Sequence, residues 1–242
     1  MTLQIITADQ RMAEKKGHKI VVCGQSGVGK TTLARTLNPS TTLFMDLEAG
    51  DAAIEGHPID VVRPRTWMEC RDLACFLGGA NPSLSDDQPY SQSHYDYVAQ
   101  MYGDTSEVWQ KYDTLFVDSI QHIRSKNVIF VGILDEVTDD YGRKQYNLQI
   151  EGAKTGRELP GIVDEVITMA ILSGDHGQYR AFVCQPLNEW GYPAKDRSGR
   201  LDTLEEPHLG KLIEKMNTGS PLTDNDLTFV DPSTQTSSEG EA

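Results

Sequence analysis

Long hydrophobic runs are missing from this chain of 242 residues: no apolar stretch approaches the roughly 20 residues that cross a bilayer as a helix. The first 17 residues hold neither a long apolar core nor a small-residue cleavage site, so no secretory leader is expected and a cytoplasmic location is. Cysteine is scarce. The four, Cys23, Cys70, Cys75 and Cys184, form no C-x-x-C pair, which argues against a zinc site or a disulfide frame and for reduced core thiols. The histidines, His176 and His208 among them, lack metal-ligand spacing. Basic charge is also short: 22 Lys and Arg against 36 Asp and Glu leave a net charge of −14. Such a protein does not coat duplex DNA by bulk attraction. A local basic loop still can bind nucleic acid, because acidic surface farther away than a Debye length is screened.

What is present is a glycine-rich phosphate signature. Gly24-Gln25-Ser26-Gly27-Val28-Gly29-Lys30-Thr31 fits G-x-x-x-x-G-K-[ST] without a mismatch. An apolar run, Lys19-Ile20-Val21-Val22-Cys23, precedes it, and the residues from Thr31 to Leu37 have the pattern of a helix start. The glycines let backbone N–H groups curl inward around a triphosphate. In this pattern Gly24 to Thr32 bind nucleotide, Lys30 reaches the β- and γ-phosphates, and the Thr31 hydroxyl holds Mg²⁺.

Two further strand ends supply acids. Thr41-Thr42-Leu43-Phe44-Met45-Asp46-Leu47-Glu48 has the pattern of a buried strand that ends in carboxylates. Carboxyl ends of strands face the ligand crevice in open α/β sheets, so Asp46 and Glu48 are expected to turn toward the nucleotide. Glu48 is then either the base that orients water or a solvated acid in a turn. Thr114-Leu115-Phe116-Val117-Asp118-Ser119 has the Walker B form, with Asp118 beside Thr31 at the metal. Between these motifs, helical spacing predicts a helix over 66–77 capped by Thr66 and a shorter one over 94–102. Strands are expected over 59–62, 163–172 and 179–185, and an amphipathic helix over 207–216.

Taken together, Gly24 to Thr32, Phe44-Met45-Asp46-Leu47-Glu48-Ala49 and Phe116-Val117-Asp118-Ser119 resemble the RecA-type ATPase core. The likeness is greatest to the small phage-encoded RecA-like ATPases, a group that includes single-strand annealing recombinases, and it runs from about residue 19 to 216. Glu158-Leu159-Pro160-Gly161-Ile162-Val163-Asp164 and Tyr192-Pro193-Ala194-Lys195-Asp196-Arg197 resemble that phage group as well. The resemblance implies an α/β fold, a RecA-like P-loop core with a mostly parallel sheet flanked by helices and an added antiparallel hairpin region. It further implies Glu48 as catalytic base, ATP and Mg²⁺ as cofactors, and single-stranded DNA as partner. Self-association into a ring or filament, a single-strand-binding protein as a further partner and the host cytoplasm as location go with it.

Two departures stand against the likeness. RecA proteins carry a glutamine at the end of the strand after Walker B, and Ile133 occupies that place here. Only nine residues, 119–127, join the Walker B strand to the next one. A parallel crossover takes a dozen or more. Either the topology differs or the chain lacks a segment that its relatives contain, and the second is the expectation.

After that strand, Asp-Tyr-Gly-Arg at 140–143 marks a hairpin turn, followed by a glycine-punctuated basic loop over 152–157. Arg143, Lys144, Lys154 and Arg157, beside Tyr141 and Tyr146, form either a strip that holds phosphates and stacks bases or an ordinary solvated hairpin. RecA-like proteins place their second DNA loop at this position. Lys195 and Arg197 are candidates for a cation inserted into the γ-phosphate site of the next protomer, or make surface contacts only. Beyond Met216 the chain holds five acids and no Lys or Arg. This divides the chain into an extension (1–17), an ATPase domain (18–216) and an acidic tail (217–242) expected to be disordered. The tail either is simply solvated or competes with DNA for a basic site. Two other functions fit the motifs: a small P-loop kinase with Arg143/Lys144 or Lys195/Arg197 as its lid, and a nucleotide-gated binding module with little turnover.

Overall fold

A computed structural model of the chain describes residues 6–14, 17–47, 50–117, 126–138, 142, 144–149 and 155–220. The first strand, β1 (Lys19–Gly24), shows how the core is built. Ile20 and Val22 face one side of the sheet and Val21 and Cys23 the other, and none is more than 1% exposed. A strand covered on both faces must be apolar at every position, which explains the unbroken run. The remaining strands are β2 (Thr42–Met45), β3 (Asp60–Val62), β4 (Thr114–Val117), β5 (Asn127–Thr138), β6 (Lys144–Gln149), β7 (Glu165–Gly174), β8 (Gly177–Val183), β9 (Lys195–Asp196) and β10 (Leu204–Glu205). Across the sheet they run β10-β8-β7-β1-β5-β4-β2-β3, with β6 paired to β5 and β9 to β7. From β7 to β3 every pair is parallel, whereas β6, β8, β9 and β10 join through antiparallel pairs.

The helices are α1 (Ala8–Ala13), α2 (Trp67–Gly78), α3 (Gln92–Tyr102), α4 (Thr105–Lys111), α5 (Thr155–Ile162) and α6 (Leu209–Thr218), with 3-10 helices at Thr31–Thr36 and Gly50–Ile54. One face of the sheet is covered by Leu33, Ala34 and Leu37 around the first 3-10 helix and by Leu209, Leu212 and Met216 of α6. The other packs against Ala74, Cys75 and Leu77 of α2, Val98 of α3 and Leu159 of α5. Side chains as fully buried as Ile129 and Phe182 contribute roughly 1.5–3 kcal/mol each. Cys23, Cys75 and Cys184 are buried free thiols, and burial pushes Cys23 up to about 11, so it is unreactive. Among the described residues, no helix is long and apolar enough to cross a membrane.

Several local expectations change. The segment after the P-loop is a 3-10 helix of six residues, closed at Leu37 by extended backbone. Pro39 follows Asn38, and a residue before proline is driven out of the α region, so the helix cannot run on. The basic loop expected over 152–157 is in part α5, which begins at Thr155 and carries Arg157. Of the tyrosines on α3, Tyr95 packs against the core, but Tyr97 is 57% exposed. Thr66 caps α2 as expected, its hydroxyl accepting from the Glu69 amide at 3.1 Å.

The nine residues from 118 to 126 join β4 to β5. These strands are parallel neighbours, with Thr114 opposite Asn127 and Val117 opposite Phe130. The topology is therefore the ordinary one, and the link is shorter than such a crossover usually takes. An extended chain gains up to about 3.5 Å per residue, enough to return along a four-residue strand.

Register places the functional rim. Gly24, the end of β1, lies opposite Ile133 on β5, and Cys23 lies opposite Thr168 on β7. Both neighbours continue past it, β5 to Thr138 and β7 to Gly174, and each is paired there with its antiparallel partner. The chain leaves β1 in a notch between two hairpins.

Candidate functional site

The loop after β1 fills that notch. Gly24 has no room for a side chain: a Cβ there would lie 2.4 Å from the Met169 carbonyl oxygen. Gly27 and Gly29 have φ of +77° and +103°, in the region that only glycine adopts readily. These three positions are the glycines of the motif, and each is required by the shape of the turn. Gln25, Ser26 and Gly27 are exposed, while Val28 is 4% exposed and anchors the loop in the core.

Lys30 is 8% exposed, and its Nζ donates to the Gly24 and Gln25 carbonyls, both at 2.9 Å. Its ammonium thus lies within the curl of the loop, where phosphate charge would be met. Thr31 opens the 3-10 helix directly after it, and Thr32 is exposed at the same end. Arg180 of β8 completes the surround: its Nε donates to the Val28 carbonyl at 2.9 Å. Sequence reasoning missed Arg180, because nothing in the spacing of a residue 152 positions away points to the loop.

A family model described as AAA domain matches the chain in two stretches, residues 16–126 and 120–198. The chain belongs to the AAA domain family. It is a P-loop AAA-type ATPase domain, with the nucleotide-binding loop just described at its centre. No curated protein matches it. The two matched stretches of this ATPase domain meet at 120–126, within the short link between β4 and β5.

Glu48 and Asp118 lie outside the described residues. The strands that lead to them, β2 and β4, run parallel to β1 through β5 and end on the same rim as the loop. Asp46 is 6% exposed and pairs with Arg63, Nε to Oδ2 at 3.5 Å, while its amide donates to Val62. Asp46, one of the two acids expected to turn toward the nucleotide, thus binds the neighbouring strand end.

On the β5–β6 hairpin, Lys144 is exposed and its Nζ pairs with Glu136 at 2.7 Å, which holds the ammonium above its ordinary range. Tyr146 is half-buried: its ring lies 4.6 Å from that of Tyr192, and burial with this neighbour raises its phenol to about 12. Arg143, Lys154 and Tyr141 lie outside the described residues, and of Arg157 only the backbone is described.

Lys195 and Arg197 stand at the other end of the sheet. Register sets Lys195 opposite Val166 and Glu165 opposite Ile20, near the start of β1. Lys195 Nζ donates to the Pro160 and Val163 carbonyls at 2.8 Å each, closing the end of α5, and burial lowers its pKa. Arg197, 54% exposed, pairs with Asp164 at 2.9 Å. Between them lies an acid pair, Glu165 buried and Asp196 half-buried. Burial and the neighbouring Asp196 push Glu165 up to about 8. Burial alone would raise Asp196 too, but hydrogen bonds from Ser198, the Leu201 and Gly199 amides and Glu165 hold it low. Among the described residues, no cluster of three or more His, Cys, Asp or Glu could hold a metal.

Proposed function

We propose that this ATPase domain is a RecA-like protein of the phage-encoded type, whose Mg²⁺-dependent ATP hydrolysis drives annealing or strand pairing of single-stranded DNA in recombination or replication. The observation that carries the reading is the position of the P-loop in a notch between two hairpins, one of them bearing Lys144. A nucleotide bound there would lie at the root of the segment that touches DNA, so its hydrolysis can bias that segment.

The loop amides and Lys30 bind phosphate. Thr31 and Asp118, the residue that follows β4 in sequence, would hold Mg²⁺ as hard oxygen donors, and the ion would neutralise charge on the β- and γ-phosphates. Glu48 orients the attacking water. Arg143, Lys144, Lys154 and Arg157 contact DNA phosphates. Lys195 or Arg197 reaches the site of a neighbouring protomer in a ring or filament, Lys195 by first leaving the end of α5. A single-strand-binding protein is the natural companion on the DNA, and the host cytoplasm the setting.

One observation favours a second reading, a nucleotide-gated binding module with little turnover: the link between β4 and β5 is shorter than a parallel crossover usually takes. Phosphate release measured with and without single-stranded DNA tests both. DNA-stimulated release is expected. Binding without turnover would favour the module, and transfer of phosphate to a small acceptor would favour a kinase.

A further inference from the structure

We infer that Arg180 is a positioning residue of the nucleotide site: by gripping the Val28 carbonyl it fixes the direction of the Gly29 amide, one of the donors that face a bound phosphate. The inference rests on the nucleotide reading above and adds to it a residue from outside the loop.

Arg180 lies on β8 opposite Ile171 of β7, just as Phe182 lies opposite Met169. Side chains two apart on a strand share a face, so Arg180 and Phe182 are on the side of the sheet that packs against the 3-10 helix after the loop. From there the guanidinium reaches the Val28 carbonyl oxygen at 2.9 Å through Nε. In a trans peptide the C=O and the following N–H are coplanar and point in opposite directions. Holding the Val28 carbonyl toward the β7–β8 hairpin therefore turns the Gly29 N–H away from it.

This peptide has particular need of a lock. Glycines with positive φ stand on both sides of Val28, at Gly27 and Gly29, and glycine backbone reorients without a Cβ penalty. The Val28 side chain is anchored in the core, which fixes its α-carbon but not the rotation of the plane beyond it. Arg180 supplies that restraint, and its hydrogen bond is of the stronger, charge-assisted kind. Among the described residues, nothing accepts from its terminal nitrogens, so no ion pair accounts for its placement.

The test compares the full chain with Arg180→Ala and Arg180→Lys. Mg-ADP and Mg-ATP affinities are read by titration calorimetry, and the thermal midpoint is read without nucleotide. Arg180→Ala is expected to weaken both nucleotides about tenfold, because the Gly29 amide is no longer oriented before the phosphate arrives. Arg180→Lys, which keeps a donor, recovers most of it. The midpoint without nucleotide moves by no more than about 2 °C. Wild-type affinity in Arg180→Ala overturns the inference. So does a loss that Arg180→Lys shares in full together with a fallen midpoint, the mark of a structural role alone. A wild-type chain that binds neither nucleotide is a separate result, and it removes the nucleotide reading itself.

Discussion

Gly24 and Met169 are in backbone contact: a Cβ on Gly24 would stand 2.4 Å from the Met169 carbonyl oxygen. The first glycine of the phosphate motif thus serves strand packing as well as loop geometry, since it lets β7 close against the end of β1. Gly24→Ala is expected to destabilise the fold by about 1–3 kcal/mol through overpacking and to lower nucleotide affinity as the loop shifts. Urea unfolding with a nucleotide titration checks both, and a variant as stable as wild type would show that β7 can give way.

In the proposed mechanism Lys30 and Glu48 act at different steps. Lys30→Ala is expected to abolish nucleotide binding, whereas Glu48→Gln keeps ATP bound and slows its cleavage by about 10²–10⁴-fold. Single-turnover hydrolysis alongside ATP affinity separates the two. Equal turnover in wild type and Glu48→Gln would remove that residue from the chemistry.

The hairpin strip is tested by salt. Arg143→Ala with Lys144→Ala is expected to weaken single-stranded DNA binding and to reduce the slope of log affinity against log salt by about 0.7 for each phosphate that is no longer neutralised. Lys144 already pairs with Glu136, so part of its contribution requires breaking that ion pair. An unchanged slope would make the hairpin an ordinary solvated one.

Glu165 gives the fold a pH dependence of known sign. Its carboxyl is pushed up to about 8 from an ordinary value of 4.5, so between these the folded state holds a proton that the unfolded chain releases. Stability is full below the lower value and is lost as pH rises through the upper one. The thermal midpoint is expected to fall from pH 6 to pH 9 in wild type and to change much less in Glu165→Gln. Asp196 does not oppose this, because its lowered pKa acts only in acid. Parallel slopes in the two proteins would show that Glu165 does not carry the dependence.

The phosphate loop was legible in the sequence because its chemistry is local: three glycines, a lysine and a threonine at fixed spacing carry their own backbone requirements. The buried strands were legible for a similar reason, since β1, β2 and β4 are covered on both faces and cannot alternate. Thr66 signalled the start of α2, because a capping hydroxyl needs only the amide three residues on. Less could be read where tertiary partners decide. The strand through Ile133 continues to Thr138 only because β6 supplies hydrogen bonds beyond the end of β1. The contact of Tyr146 with Tyr192, 46 positions away by their numbers, is likewise set by the fold and carries no local signal.

The amino-acid order alone determined that a strand would end in a phosphate-wrapping turn, because glycine conformations and apolar runs depend on near neighbours. Only the folded chain decided that the turn sits between two hairpins and that Arg180 takes the Val28 carbonyl. Both follow from the order and register of strands far apart in sequence, and that order is set by how the whole sheet buries its two faces.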